Sequence, residues 1–167
     1  MSSSTTSREA IRAVVVTVSD SCAGGDRKDL SGPAVVEFLR KRHIEVAAHK
    51  IVADESAAIQ ELLIDLSNEV ELIVTTGGTG IAARDVTPEA TTAVCDRLID
   101  GMAEHMRREG MKKTKFAALS RGVCGVRGRT LIVNLPGSPT GALESLEAVA
   151  ELIPHAVDLL SGKTEHR

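Results

Sequence analysis

The residues best able to do chemistry lie in one run, Thr75-Thr76-Gly77-Gly78-Thr79-Gly80-Ile81-Ala82-Ala83-Arg84-Asp85-Val86-Thr87-Pro88. Glycines between a strand and a helix let backbone N–H groups approach a phosphate closely. Thr87 as N-cap and Pro88 at the first helical position predict a helix opening at about Pro88. Asp85 then sits on the loop, in front of that helix's electropositive end. An anion cradle beside a fixed carboxylate is suited to a phosphorylated substrate, with or without a metal ion.

Two sequence echoes do not stand. Gly78-Thr79-Gly80-Ile81-Ala82-Ala83 matches GxGxxA. A dinucleotide fingerprint, however, needs the helix to open at the glycines within the first βαβ unit. Here Pro88 postpones the helix and the loop follows the third predicted strand. Gly162-Lys163-Thr164 resembles the end of a P-loop, but Val157 stands where its first glycine belongs.

The elements that must position the loop can be read from apolar spacing. Arg12 to Val18 reads as a buried strand, and Ser31-Gly32-Pro33 starts a helix with Val35/Phe38 and Val36/Leu39 on one side. Glu45 to Val52 reads as a second strand. Asp54 is placed to cap a helix carrying Ile59, Leu62, Leu63 and Leu66 on one face. Leu72-Ile73-Val74 leads into the glycine loop, and helices are expected from Pro88 to about Arg97 and from Gly101 to Glu109. Phe116 to Val126 reads as one short strand plus a turn. Thr130 to Leu135 is a buried strand ending in Pro136-Gly137-Ser138-Pro139, with Ser138 as N-cap. The last helix should bury Leu143, Leu146, Ala150 and Ile153, with Pro154 bending or restarting it.

Strands alternating with helices predict an α/β fold: a mostly parallel sheet covered on both faces, a three-layer sandwich. Ligands in such sheets bind beyond the carboxyl ends of the strands. Three predicted loops meet that criterion: Ser19 to Gly25, Thr75 to Pro88, and Asn134 to Ser138.

Composition narrows the classes of function. The 167 residues fit one domain, read as 11–162 between short tails at 1–10 and 163–167. No apolar run is long enough to cross a bilayer. Met1 to Ser7 is polar and lacks the apolar stretch of a signal peptide. Cys22, Cys95 and Cys124 form no CxxC pair, so neither a disulfide framework nor a zinc site is expected, and a cytoplasmic setting is. Phe38 and Phe116 are the only aromatics, which removes the stacking platforms of single-stranded nucleic-acid binders. The net charge of −3 also disfavours a polyanion. It hides a basic stretch, Lys112, Lys113, Lys115, Arg121, Arg127 and Arg129, of which one or two are expected to face the anionic site.

Three stretches resemble one known family. Val16-Thr17-Val18-Ser19-Asp20, the run Thr75 to Thr91 (TTGGTGIAARDVTPEAT) and Asn134 to Pro139 (NLPGSP) are similar to the MogA/MoaB group of molybdenum cofactor biosynthesis proteins. The resemblance extends from Ile11 to about Gly162. It implies a molybdopterin-binding fold, a homotrimer, and Mg²⁺-dependent adenylylation of molybdopterin by ATP, with the product passing to a metal-insertion protein. The family's motif carboxylate falls on Asp85, and a second falls on Asp54 within Ala53-Asp54-Glu55, where the family has proline in place of Ala53. These two become the expected catalytic and magnesium-holding pair. Ser120 matches a polar residue placed against the pterin. The expected substrate-binding set is Ser19, Asp20, Thr76, Gly77, Gly78, Thr79, Gly80, Ser120, Asn134, Pro136, Gly137 and Ser138.

Plainer roles stay open at this point. Asp54 suits a helix N-cap, Asp85 an Asx turn, Asp20 a loop-stabilising acceptor, and Gly77-Gly78 a tight turn. A non-catalytic molybdopterin-binding scaffold of the MoaB type, or a nucleotide-dependent enzyme of other chemistry, would use the same loop. The enzyme reading requires Asp54 and Asp85 to share one site.

Overall fold

The computed structural model describes residues 9–163, so the expected tails lie largely outside it. A six-stranded sheet runs in the order β2 (Glu45–Val52), β1 (Arg12–Val18), β3 (Leu72–Thr76), β6 (Thr130–Leu135), β5 (Cys124–Arg127), β4 (Arg97–Leu98). The first four strands are parallel, and β5 and β4 continue the sheet antiparallel.

Side-chain alternation along β1 explains the layers. Ala13 and Val15 join a core with helices α2 (Ser31–Lys41), α5 (Asp100–Met111), α6 (Pro139–Val149) and α7 (Leu152–Leu160). Val14, Val16 and Val18 face the other way, against α3 (Ser56–Leu66) and α4 (Thr87–Val94). With both faces covered, β3 and β6 are buried at every position. Edge strand β2 is mostly exposed and carries His49 and Lys50, polar groups that discourage pairing with another chain. A short helix, α1 (Asp20–Ala23), follows β1.

The sheet, the six predicted long strands and helices before residue 94, and the Ser138 cap match the sequence reading. Ser138 Oγ accepts from Gly141 N at 3.1 Å. Four details differ. Helix α4 stops at Val94, because Cys95 turns extended and Arg97 pairs with Val126. Between Phe116 and Val126 a 3-10 turn, Lys115–Leu119, precedes β5; the Thr114 hydroxyl accepts from Phe116 N and starts it. Leu143 is only half-buried, since α6 turns Ala142, Leu146 and Val149 inward. Asp54 does not cap α3: Glu55 occupies that position without a side-chain bond.

Candidate functional site

The carboxyl ends of β1, β3 and β6 bring the three loops into contact. Gly77 N donates to Leu135 O at 3.0 Å, and Thr76 Oγ1 to Pro136 O at 2.7 Å. Gly77 has φ of +100°, and a Cβ there would overlap the Val18 carbonyl oxygen. Gly78 has φ of +67°, and its Cβ would overlap Thr87 Oγ1. Only glycine satisfies both the backbone and the space at these positions. Thr87 lies just inside α4 rather than at the cap, and its hydroxyl donates across the loop to Gly77 O at 3.0 Å.

Asp54 and Asp85 line one cavity of about 350 Å³, together with Ser19, Thr76, Gly77, Gly78, Gly137 and Ser138. Asp54 is released from helix capping by a reciprocal bond to the first loop. Its Oδ2 accepts from Asp20 N at 2.8 Å, and Asp20 Oδ1 accepts from Asp54 N at 2.9 Å. Asp20 itself lines neither this cavity nor its neighbour. Its carboxylate takes two bonds from Arg84, Nε and Nη2, at 2.9 Å each. That guanidinium, aided by the Asp54 N–H, holds the Asp20 carboxyl below its ordinary pKa.

Asp54 moves the other way. Burial raises its pKa, and the like charges of Asp20 and Asp85 add to the rise. Asp85 Oδ2 accepts from Ala82 N at 2.9 Å, closing the turn that aims it. Arg121 holds this turn from outside. Its Nε donates to Gly80 O and its Nη2 to Asp85 O, each at 2.8 Å, while Nη1 pairs with Glu89.

Among the described residues no group of three or more His, Cys, Asp or Glu could hold a metal. A pair of carboxylates nevertheless suits Mg²⁺, which takes one or two carboxylates and completes its shell with phosphate oxygens and water. Asp54, disfavoured as an anion by burial and by Asp85, is the group a dication would relieve.

Gly137 and Ser138 also wall a second cavity of about 320 Å³. Thr79, Gly80, Ser120, Asn134 and Pro136 line this side, with Ala103, Met106, Phe116 and Leu119 from α5 and the 3-10 turn. Asn134 is 1% exposed, and its amide is engaged by the protein itself. Nδ2 donates to the Thr75 and Thr91 hydroxyls at 3.0 Å, and Oδ1 accepts from Val123 N at 3.2 Å. It builds the wall between sheet and cavity.

The predicted residues thus divide between two adjoining cavities, with Asp20 outside both. The expected basic side chains do not face the carboxylates. Lys112 pairs with Glu109, Lys113 with Glu144, and Arg127 donates to Val94 O. The cations that line the carboxylate cavity are Arg27 and Lys28, from the loop before α2. Pattern reading missed them because nothing in their spacing marks them, and it missed Arg107 and Glu144 of the second cavity for the same reason.

A mostly parallel sheet thus carries, at the carboxyl ends of its strands, a glycine-lined cavity with two carboxylates and an adjoining, mostly apolar one, the place where such α/β folds bind their ligands. The family model described as "Probable molybdopterin binding domain" matches residues 14–155, and the chain belongs to that family. It is 44% identical over 152 residues to the molybdopterin adenylyltransferase of Helicobacter pylori, covering 89% of this chain and 86% of that protein. To the protein of the same name from Escherichia coli K12 it is 37% identical over 169 residues, covering 91% and 86%. Among solved structures, the molybdopterin biosynthesis enzyme MoaB of Thermus thermophilus superposes with a TM-score of 0.86 at 51% identity. That match covers 91% of this chain and 97% of that one.

Proposed function

We propose that this protein is a molybdopterin adenylyltransferase of molybdenum cofactor biosynthesis, using ATP and Mg²⁺. The observation that carries the reading is the shared wall. Gly137 and Ser138 separate a polar cavity holding Asp54 and Asp85 from an apolar one holding Ser120. Two substrates seated on either side can meet at that turn.

In this reading the pterin occupies the Ser120 cavity and the triphosphate the carboxylate cavity. The terminal phosphate of molybdopterin attacks the α-phosphorus of ATP in line. A new P–O–P bond forms, the bond from the α-phosphorus to the oxygen bridging to the β-phosphorus breaks, and pyrophosphate leaves. The backbone N–H of Gly78 faces the triphosphate side and those of Thr79 and Gly80 the pterin side, where they hold phosphate oxygens; the Gly77 N–H is engaged by Leu135 O, and Ser138 with the N-terminus of α6 gives a second anchor. Asp54 and Asp85 would hold Mg²⁺, which supplies neutralisation of the phosphate charge. Anionic oxygens repel by roughly 4 kcal/mol per close pair at an effective dielectric near 20, so such neutralisation is a large part of the barrier. Ser19 and Thr76 line the polar side. Asp20 acts by holding Asp54 and Arg84.

A homotrimer, a cytoplasmic setting and transfer of the product to a metal-insertion protein complete the proposal. No helix of the described residues is long and apolar enough to cross a membrane. The decisive experiment incubates purified protein with ATP, Mg²⁺ and molybdopterin and measures pyrophosphate. Stoichiometric pyrophosphate is expected. Its absence, with molybdopterin still bound, would replace the enzyme by a scaffold.

A further inference from the structure

The chemistry of the apolar cavity points beyond its occupant to the side chain that reads it. Glu144, from the second turn of α6, is the only carboxylate among the residues lining that cavity. Its side chain is 26% exposed, and its ion-pair partner among the described residues, Lys113 Nζ, lies 3.6 Å away, outside the lining residues, and is itself 61% exposed. Among the described residues the Glu144 carboxylate accepts no hydrogen bond, so its acceptor sites are open. A half-buried carboxylate with open acceptors among the residues lining a slot can take donors from whatever enters. Phe116, one of only two aromatic rings in the chain, lines the same slot and offers a flat wall.

We infer that Glu144 recognises the pterin's 2-amino-4-oxo edge, a conclusion that rests on molybdopterin occupying this cavity. That edge presents a ring N–H and an exocyclic NH₂ side by side, two donors matching the two oxygens of one carboxylate. Adenine offers a donor beside a ring-nitrogen lone pair, which would face carboxylate oxygen unfavourably. The same residue therefore directs the pterin to this cavity and the adenine nucleotide away from it. Arg107 lines the slot but donates to Gly122 O at 3.0 Å, so it shapes the wall rather than competing for the ligand edge.

The test uses the full chain without ATP, so its outcome does not depend on turnover. Calorimetric titration compares binding of pterin with lumazine, in which a 2-oxo group replaces the 2-amino group. The wild type should prefer pterin by roughly ten- to hundredfold. Glu144→Gln should lower pterin affinity by about tenfold or more and bring the ratio near one. Lys113→Met, which removes only the ion pair, should keep the preference. Three results would each overturn the inference: no preference in the wild type (including no binding of either pteridine), a preference that survives in Glu144→Gln, or a Lys113→Met that loses it equally. If the preference holds while no pyrophosphate forms, Glu144 stands and adenylylation falls.

Discussion

The two cavities on either side of the Pro136–Pro139 turn are nearly equal in size, about 350 and 320 Å³, yet they are made differently. The carboxylate side is built from loops at strand ends and works with backbone N–H groups, glycines and two aspartates. The other side is built largely from side chains of α5, α6 and a 3-10 turn, and is mostly apolar with one carboxylate. Phosphate is recognised by an array of fixed dipoles, which any glycine-rich turn can supply. A heterocycle needs shape and one well-placed acceptor, which only packed elements can supply. On the proposed assignment, the difference puts chemistry and specificity in separate parts of one small chain.

Breaking the polar side alone should be the most costly change. Asp85→Asn is expected to lower kcat by on the order of 10² or more while molybdopterin binding persists. Equal loss of both, by calorimetry and pyrophosphate release, would mean that the two cavities do not act separately. Gly77→Ala strikes the lining of the carboxylate cavity next to the shared wall, where a Cβ would meet Val18 O and the backbone is left-handed. A loss of about 2 kcal/mol or more in denaturant unfolding is expected. An unchanged midpoint would show that the lining yields.

Arg121→Met removes two donors from the loop that carries Asp85, and the pairing with Glu89, without touching either cavity. A fall in kcat on the order of tenfold, with KM for molybdopterin held, would place its effect on the aim of Asp85. Glu89 partners the same guanidinium, which depresses its pKa, so Glu89→Gln should reproduce a smaller part of that fall.

The smallest effect concerns stability and pH. The Asp54 pKa is raised in the fold, so Asp54 favours folding while protonated and that contribution is lost as pH rises from about 4 through the folded value. Asp54→Asn should therefore be slightly more stable than wild type at pH 7, with the gain vanishing in acid. Asp20, with its pKa lowered by Arg84, has the opposite sign: its stabilisation is present above about pH 4 and is lost as pH falls further. Thermal midpoints of Asp54→Asn and Asp20→Asn across pH 3–8 check both signs. A variant at Asp54 that loses stability at neutral pH would mean its bond from Asp20 N outweighs the charge it buries.

Much of the polar side was legible because it is local. Gly77, Gly78 and Gly80 announce a turn, Ser138-Pro139 a capped helix, and β-branched runs such as Val14-Val15-Val16 a buried strand. The apolar side was less so: Ser120 was placed there by the family resemblance alone, and Phe116, Glu144 and Arg107 share no spacing and come together only where α5, α6 and the 3-10 turn pack. The role assigned to Asp54 changed for the same reason. As a local residue it suits a helix cap, and only Asp20, thirty-four positions away, turns it to the cavity. Arg121, one of six basic residues of which one or two were expected to face the anionic site, is turned onto the carbonyls of Gly80 and Asp85.

Most of the order of strands and helices and the glycine turn followed from residue types and their spacing, and the family from its motifs, since hydrophobic period and turn chemistry act over a few neighbours. The meeting of Asp54 with Asp85, the engagement of Asn134 and Arg121 by the protein, and the half-buried carboxylate of Glu144 were decided by tertiary structure. Each depends on contacts between segments dozens of residues apart, whose free energy exists only once the sheet and its helices have packed.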